Sequence, residues 1–227
     1  MPTPSFTRAQ RLNEQQCCDA SGCSLPRHSI DRFCSSHTNT YRRYGHPAAG
    51  PLKPSSWAPF RAQVRTLLDA NADHPGAQQV LRLITAWMAT ATNNDSAFPG
   101  AEELARLSGH GVTAMDMLVE ACALWSMLQR SPRTLPQGGP DADRAVDFAI
   151  SRAVFGLAPR ARRQSWTTPG SRSYSTKARS SALAHIGKHL RQTLAPFLVN
   201  VAHSIEPEAD LKAKAAEAMR APFRSPL

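Results

Sequence analysis

The chain has 227 residues, of which 41% are hydrophobic, and a formal net charge of +10 at pH 7. This length supplies a hydrophobic core for one medium-sized domain or two small ones. No apolar run approaches the roughly 18 residues that a membrane span requires, and the amino terminus lacks the apolar segment of a signal peptide. The composition therefore excludes an ordinary membrane-spanning protein, and we predict a cytoplasmic protein without a membrane partner.

Positive charge is concentrated in two segments that contain no Asp or Glu. The first lies between Asp31 and Asp69, and the second covers residues 148–205. Each neutralised phosphate releases condensed counterions, so this segregation favours a nucleic-acid partner over a merely soluble, arginine-rich protein. The basic residues of the second segment that we expect to contact nucleic acid are Arg160, Arg162, Arg163, Arg172, Lys177 and Arg179.

At the start of the chain, residues 1–16 are predicted to form a flexible tail, and residues 17–47 hold four of the five cysteines. An odd number of cysteines, most of them clustered, favours metal binding over disulfides in a reducing compartment. The sequence therefore predicts a metal-binding module in residues 17–47.

The spacing within this module is that of a zinc knuckle. Four residues lie between Cys18 and Cys23, and ten lie between Cys23 and Cys34. Two residues lie between Cys34 and His37. Three thiolates and one imidazole complete a tetrahedron around Zn²⁺ and leave no open position. Cys17 is the alternative to Cys18, because adjacent residues do not easily ligate the same ion.

These ligands belong to a longer pattern, which resembles the small zinc-binding module of many phage and mobile-element proteins, including some HNH-type homing endonucleases. The resemblance covers about thirty residues and departs from the usual pattern at Phe33 and Thr38, neither of which is a ligand. It implies a phage or bacterial mobile-element context. The matching residues are Cys18, Gly22, Cys23, Pro26, Arg32, Cys34, His37, Arg42, Arg43, Gly45 and Pro47.

The end of the module, TYRRYG, combines basic and aromatic side chains. Such residues suit phosphate contact and base stacking, whereas the alternative is a solvated helix end that packs on the knuckle. The residues of the module that we expect to contact nucleic acid are Arg32, Tyr41, Arg42, Arg43 and Tyr44.

Proline, glycine and serine mark residues 48–58 as a linker, and a helical domain is predicted over residues 59–156. Apolar residues at helical spacing predict its first helix from Phe60 and its second over about residues 77–90.

A helix-turn-helix-like unit is predicted over residues 101–127, with a short helix over 101–107 and a longer one over 112–127. Gly109 is expected to take the left-handed turn conformation between them. The unit resembles the helix-turn-helix of winged-helix regulators, in which a strand such as MLQRSPR would follow. Thr113 is the candidate DNA contact, but helix 112–127 has no Arg or Lys, so a packing module is the alternative.

The carboxyl-terminal part divides into a basic exposed segment, residues 157–175, and helices within residues 176–227. The fold class is therefore mainly α, with a small zinc knuckle, a helical domain with a helix-turn-helix or winged-helix core, and a long carboxyl-terminal helix. No catalytic site is expected, because the helical pair His185 and His189 lacks the glutamate of a metalloprotease and the layout of an HNH site.

These observations favour a non-enzymatic, Zn²⁺-containing protein that binds double-stranded DNA, with an integrase or transposase as a further candidate partner. Three alternatives remain open at this point. The chain could be an accessory or fragment of a nuclease or recombinase, a protein-interaction adaptor, or a binder of single-stranded RNA.

Overall fold

A computed structural model describes residues 4–93, 98–139, 141–159, 162–163, 174–175 and 178–205. The protein is mainly helical. Its described α-helices are α1 (Pro4–Glu14), α2 (Ser35–Tyr44), α3 (Ala58–Ala70), α4 (Pro75–Thr92), α5 (Ala101–Gly109), α6 (Ala114–Arg130), α7 (Ala142–Phe155) and α8 (Ser180–Ser204). Two 3-10 turns, Pro54–Ser56 and Pro132–Thr134, and two antiparallel two-residue strands, β1 (Arg162–Arg163) and β2 (Tyr174–Ser175), complete the described elements.

Helix α6 lies at the centre of the hydrophobic core and packs against α3, α4, α7 and α8. From Met117 to Leu128 it is buried on every side, with only Trp125 half-buried. A helix of this kind belongs in a protein interior. It begins with a capping box, in which the Thr113 hydroxyl accepts from the Asp116 amide and the Asp116 carboxylate accepts from the Thr113 amide.

Helices α7 and α8 cross closely because α8 carries a glycine at the contact. A Cβ atom at Gly187 would lie only 1.8 Å from the carbonyl oxygen of Asp147. Beside this crossing, Arg191 Nε donates to the Asp147 carboxylate at 2.6 Å, and Ser151 Oγ donates to the Leu183 carbonyl at 2.6 Å. These contacts hold together the two helices that, with the residues between them, contain most of the second acid-free segment.

The helix-turn-helix expectation is only partly met. Helices α5 and α6 exist and are bent by 116°, but the left-handed glycine between them is Gly111, at φ +76°, and not Gly109, which ends α5. The expected wing strand is wrong, since α6 continues to Arg130 and a 3-10 turn follows. Because α6 is enclosed by other helices, its buried faces are not available to a DNA groove.

Residues 4–14 form helix α1 where the sequence predicts a flexible tail. The Asn13 amide nitrogen donates to the carbonyl oxygens of Ser29 at 2.9 Å and Asp31 at 2.8 Å. These bonds attach the end of α1 to the cysteine-rich segment, and they depend on residues too distant in sequence to be anticipated.

The predicted linker, residues 48–58, is mostly exposed but contacts the helical core through a few side chains. Ala49 and Trp57 are buried there, and Trp57 Nε1 donates to Glu120 at 2.6 Å. The cysteine-rich segment is therefore joined to the helices by an ordered, packed connection.

The other helices lie close to their predicted positions. Helix α8 is shorter than expected and covers residues 180–204, while the terminal helix predicted beyond residue 205 lies outside the described residues. Within the described part of the chain, no single helix has both the length and the apolar character to span a membrane; α5 and α6 meet that test only as a bent pair.

Candidate metal centre

Cys18, Cys23, Cys34 and His37 are close enough to bind one metal ion, because their ligand atoms all lie within 4.8 Å of one another. His37 Nδ1 lies 3.4 Å from the sulfur atoms of both Cys18 and Cys34. The sulfur atoms of Cys23 and Cys34 are 4.0 Å apart. Tetrahedral zinc, bonded at about 2.3 Å to sulfur and about 2.1 Å to nitrogen, sets its ligand atoms about 3.5 to 3.8 Å apart, so the cluster is compatible with this ion.

Local structure accounts for the convergence of the ligands. Gly22, at φ +75°, makes the turn that separates Cys18 from Cys23. Cys34 caps helix α2, and His37 lies in its first turn, three residues later. This spacing places both side chains on the same side of the helix end.

Cys17 is not part of the cluster. It is exposed, while Cys18 is buried, and its backbone pairs with Pro26. Its carbonyl oxygen accepts a hydrogen bond from Arg27 at 3.0 Å. Of the two adjacent cysteines, only Cys18 lies close enough to Cys23, Cys34 and His37 to share a metal ion with them.

The thiols of the cluster influence one another. Burial alone would raise the pKa of Cys18, but hydrogen bonds from two backbone amides and from His37 outweigh it and bring the pKa to about 7. The backbone of Leu25 lowers the pKa of Cys23, yet burial and the neighbouring thiols leave this pKa raised. Adjacent thiolates repel each other, and a soft divalent cation removes that repulsion.

The cysteine-rich segment has a hydrophobic cluster of its own, separate from the helical core. Its buried members are Cys18, Ala20, Phe33 and Cys34, with Cys23 and Tyr41 packed against them. Two cysteines and two other side chains bury too little apolar surface to hold a fold. A bound metal would therefore supply most of the folding energy of residues 17–47.

The segment is attached to helix α7 by polar and aromatic contacts. Arg32 forms an ion pair with Asp141 at 2.7 Å, and the Tyr41 hydroxyl donates to the same carboxylate at 3.3 Å. Arg144 lies over the Tyr41 ring at 5.0 Å. The candidate metal centre is thus held in a fixed position relative to the helices.

Two of the expected base-stacking residues take part in this attachment. Tyr41 and Tyr44 are half-buried, and Arg152 lies over the Tyr44 ring at 5.1 Å. Arg42 and Arg43, by contrast, are exposed, although Arg42 pairs with Asp31 at 3.0 Å. The end of α2 therefore packs through its tyrosines and presents its arginines.

The remaining expected nucleic-acid residues are distributed unevenly. Thr113 caps α6 and bonds to Asp116, and Arg179 is exposed beside the start of α8. The side chains of the central basic segment lie outside the described residues; these are Arg160, Arg162, Arg163, Arg172 and Lys177.

Gly45→Ala is expected to loosen the attachment of α2 to α7. Gly45 ends α2 at φ +79°, and a Cβ atom there would lie 2.5 Å from the Arg144 carbonyl oxygen. The left-handed conformation costs alanine about 1–2 kcal/mol, and the close approach adds to that cost. Gly22→Ala is the matched control, at φ +75° with nothing within 4 Å. Equal losses of unfolding free energy in urea would contradict the importance of this contact.

The helical pair His185 and His189 lies in an aromatic cluster. The His189 ring is 4.3 Å from that of Trp87, and the His185 ring is 5.6 Å from that of Phe98. Burial, with a smaller effect of His185, lowers the pKa of His189. Both histidines thus pack against α4 and the residues that follow it, and neither belongs to a metal-ligand group within the described residues.

One polar group was missed by the sequence reasoning. Glu120, on the buried helix α6, accepts hydrogen bonds from Trp57 and forms a two-bond ion pair with Arg61, at 2.6 and 2.7 Å. Its signal was a glutamate within the mostly apolar residues 117–128, since a buried carboxylate needs a charged partner.

Comparison with protein-family models, curated proteins and solved structures finds no match to this chain.

Proposed function

We propose that the protein binds double-stranded DNA through its phosphates, and that a structural Zn²⁺ ion holds the binding surface in shape. The observation that carries the proposal is the meeting of the two acid-free segments of the chain. Ser180 Oγ donates to the Arg42 carbonyl at 2.6 Å, and Arg152 Nε donates to the Arg43 carbonyl at 2.9 Å. Arginines far apart in sequence therefore converge at the junction of α2, α7 and α8.

We call these residues the seam arginines: Arg42, Arg43, Arg152 and Arg179. All four are exposed. Guanidinium groups bind phosphate through paired, charge-assisted hydrogen bonds, and a group of them produces the positive field that attracts a polyanion. Arg179 directly precedes α8, whose first residue, Ser180, makes the contact to Arg42.

The metal would act structurally in this function. Four protein ligands leave no coordination position for a substrate or a water molecule, as in structural zinc sites. Holding α2 against α7 keeps Arg42 and Arg43 beside Arg152. We therefore propose no catalytic role for Zn²⁺.

The resemblance of the zinc module supports a phage or mobile-element role, with an integrase or transposase as a candidate partner on the same DNA. We propose duplex DNA and not single-stranded RNA as the ligand, because Tyr41 and Tyr44 pack under arginines. Half-buried rings of this kind offer less face for base stacking than free rings.

Replacing Arg42 and Arg43 together with alanine should weaken binding to duplex DNA of any sequence. Each lost phosphate contact lowers the slope of log affinity against log salt by about 0.9, so the double variant should lose about 1 to 2 in slope. The measurement is a salt titration by fluorescence anisotropy, with duplex DNA and single-stranded RNA competing.

The matched control removes the same charge elsewhere. Arg82 and Arg133 are exposed on α4 and on the turn after α6, so their double alanine variant has the same net charge. It should keep the wild-type slope to within about 0.5. A flat salt response of the wild type, or equal losses in both double variants, would overturn the proposal.

A further inference from the structure

Large aliphatic side chains are exposed at five positions in the described part of the chain, and three of these lie in or beside the cysteine-rich segment. They are Leu12, Leu25 and Ile30, which are 55%, 57% and 60% exposed. Leu83 on α4 and Val199 on α8 are less exposed, at 46% and 39%. Single exposed apolar residues are common on proteins, so exposure alone indicates no function. Ile30 differs from the others in how its backbone is held and in what lies beside it.

The turn that carries Ile30 is fixed from several sides. The Asn13 amide nitrogen donates to the carbonyl oxygens on both sides of Ile30, those of Ser29 at 2.9 Å and Asp31 at 2.8 Å. The Asp31 amide donates to the His28 carbonyl at 2.9 Å. Ser29 has φ +55° and is the only non-glycine residue with positive φ among those that the structure describes. This conformation is unfavourable for most residues, and the surrounding bonds maintain it. The backbone of Ile30 is thus held in place while its side chain is exposed.

Asp31 connects Ile30 to the seam arginines. The Asp31 carboxylate pairs with Arg42 Nη2 at 3.0 Å, and the Arg42 side chain nevertheless remains 60% exposed. An apolar tip therefore lies beside a group that binds phosphate. The apolar part of a DNA duplex is its stack of bases, and aliphatic side chains such as Ile enter that stack from the minor groove.

The extent of the apolar surface argues against a protein as its partner. A specific protein interface takes about 20–30 residues on each side, and only three large aliphatic residues are exposed here. A second copy of the chain also carries a net charge of +10, so like charges would oppose pairing. A wedge that enters DNA is, by contrast, a single apolar side chain between two base pairs.

We infer that Ile30 is a wedge residue, which inserts from the minor groove between two neighbouring base pairs while Arg42 contacts phosphate, and that the duplex bends at this step. The inference rests on the duplex binding proposed above. Unstacking a base step costs free energy, and the resulting bend of about 20–90° allows more protein surface to contact the DNA. A turn that is already rigid favours insertion, because little conformational freedom is lost on binding.

The test compares a perfect duplex of about 25 base pairs with the same duplex carrying one central mismatch. Both carry 2-aminopurine beside the centre and a fluorescence donor and acceptor at the two ends. A mismatched step is easier to unstack, so the full zinc-loaded chain should bind it about tenfold more tightly. Binding should raise both the 2-aminopurine fluorescence and the energy transfer. Equal affinity for the two duplexes, or saturated binding without a change in either signal, would overturn the inference.

Variants at Ile30 separate insertion from phosphate contact. Ile30→Ala should lose the preference for the mismatch and both signals, yet keep the wild-type salt slope to within about 0.5, because the arginines are unchanged. Ile30→Leu should retain both signals, since leucine also serves as a wedge. Zinc content and circular dichroism check the fold of each variant. If Ile30→Ala does not fold, Ile30→Thr keeps the branched shape, adds a hydroxyl and gives the same test.

Leu25→Ala is the matched control, because Leu25 is an aliphatic residue of the same segment with nearly the same exposure. It should bind and bend the mismatched duplex as the wild type does. Equal losses in Ile30→Ala and Leu25→Ala would show that the wedge is assigned wrongly.

The wedge and the proposed function fail in different ways. Absence of duplex binding at low salt would overturn both. Duplex binding with the expected salt slope but without unstacking would overturn the wedge alone. Sedimentation of the free protein tests a second copy as the partner. A dimer that Ile30→Ala converts to a monomer would identify Ile30 as a subunit contact and overturn the wedge.

Discussion

Protein purified without chelators is expected to contain one zinc ion per chain, and Cys34→Ser is expected to lose it. Cys34 is a buried member of the ligand group and caps helix α2. Structural zinc contributes roughly 10–16 kcal/mol of binding free energy in small modules, far more than the four-residue cluster of this segment can replace. Residues 17–47 should therefore unfold in the variant. The measurements are elemental analysis and limited proteolysis.

Cys17→Ser provides the matched control, because Cys17 is the adjacent thiol outside the cluster. It should retain stoichiometric zinc and a protease-resistant segment. The helical core should survive in both variants, since its hydrophobic cluster is separate from that of the cysteine-rich segment. Zinc loss in Cys17→Ser, or full zinc content in Cys34→Ser, would show that the ligands are assigned wrongly.

Gly187→Ala is expected to be the most destabilising single-methyl change in the helical core. The added Cβ atom would lie 1.8 Å from the carbonyl oxygen and 2.4 Å from the carbonyl carbon of Asp147. These are backbone atoms within α7, so relief requires the two helices to separate. Overpacking typically costs about 1–3 kcal/mol and occasionally more, and we expect a loss of at least about 3 kcal/mol in unfolding free energy.

Gly109→Ala serves as the control for the glycine-to-alanine change itself. Gly109 is the last residue of α5, and nothing lies within 4 Å of its added Cβ atom. Alanine is the better helix former by about 1 kcal/mol in a helix interior, so the effect should be neutral or slightly stabilising. Urea unfolding followed by circular dichroism measures both variants. A Gly187→Ala protein as stable as Gly109→Ala would contradict the close crossing.

The close approach of α7 and α8 at Gly187 could not be predicted from the sequence. Leu183, Ile186 and Leu190 lie at helical spacing in the sequence, and all three are buried. That spacing says which side of a helix is buried, but not how near its partner lies. The separation of α7 and α8 depends on what both helices place at one crossing.

The helix-turn-helix interpretation is met only in part, for a related reason. Two amphipathic helices around a glycine are compatible with DNA recognition and with plain core packing. Which of these two roles α6 has depends on how many helices surround it, and four helices pack against it. Glu120 is the only glutamate of that helix. It lies inside the protein, where Arg61 and Trp57 donate hydrogen bonds to it.

The mainly helical class, the candidate ligand group and the acid-free segments could all be predicted from the sequence, because helical periodicity, ligand spacing and charge are properties of neighbouring residues. Three features required the tertiary structure: the packing of α2 on α7, the burial of Ala49 and Trp57 of the predicted linker against the core, and the meeting of distant arginines at one junction. The contact between Arg32 and Asp141 joins residues 109 positions apart. Such contacts follow from the packing of whole helices, which no local pattern encodes.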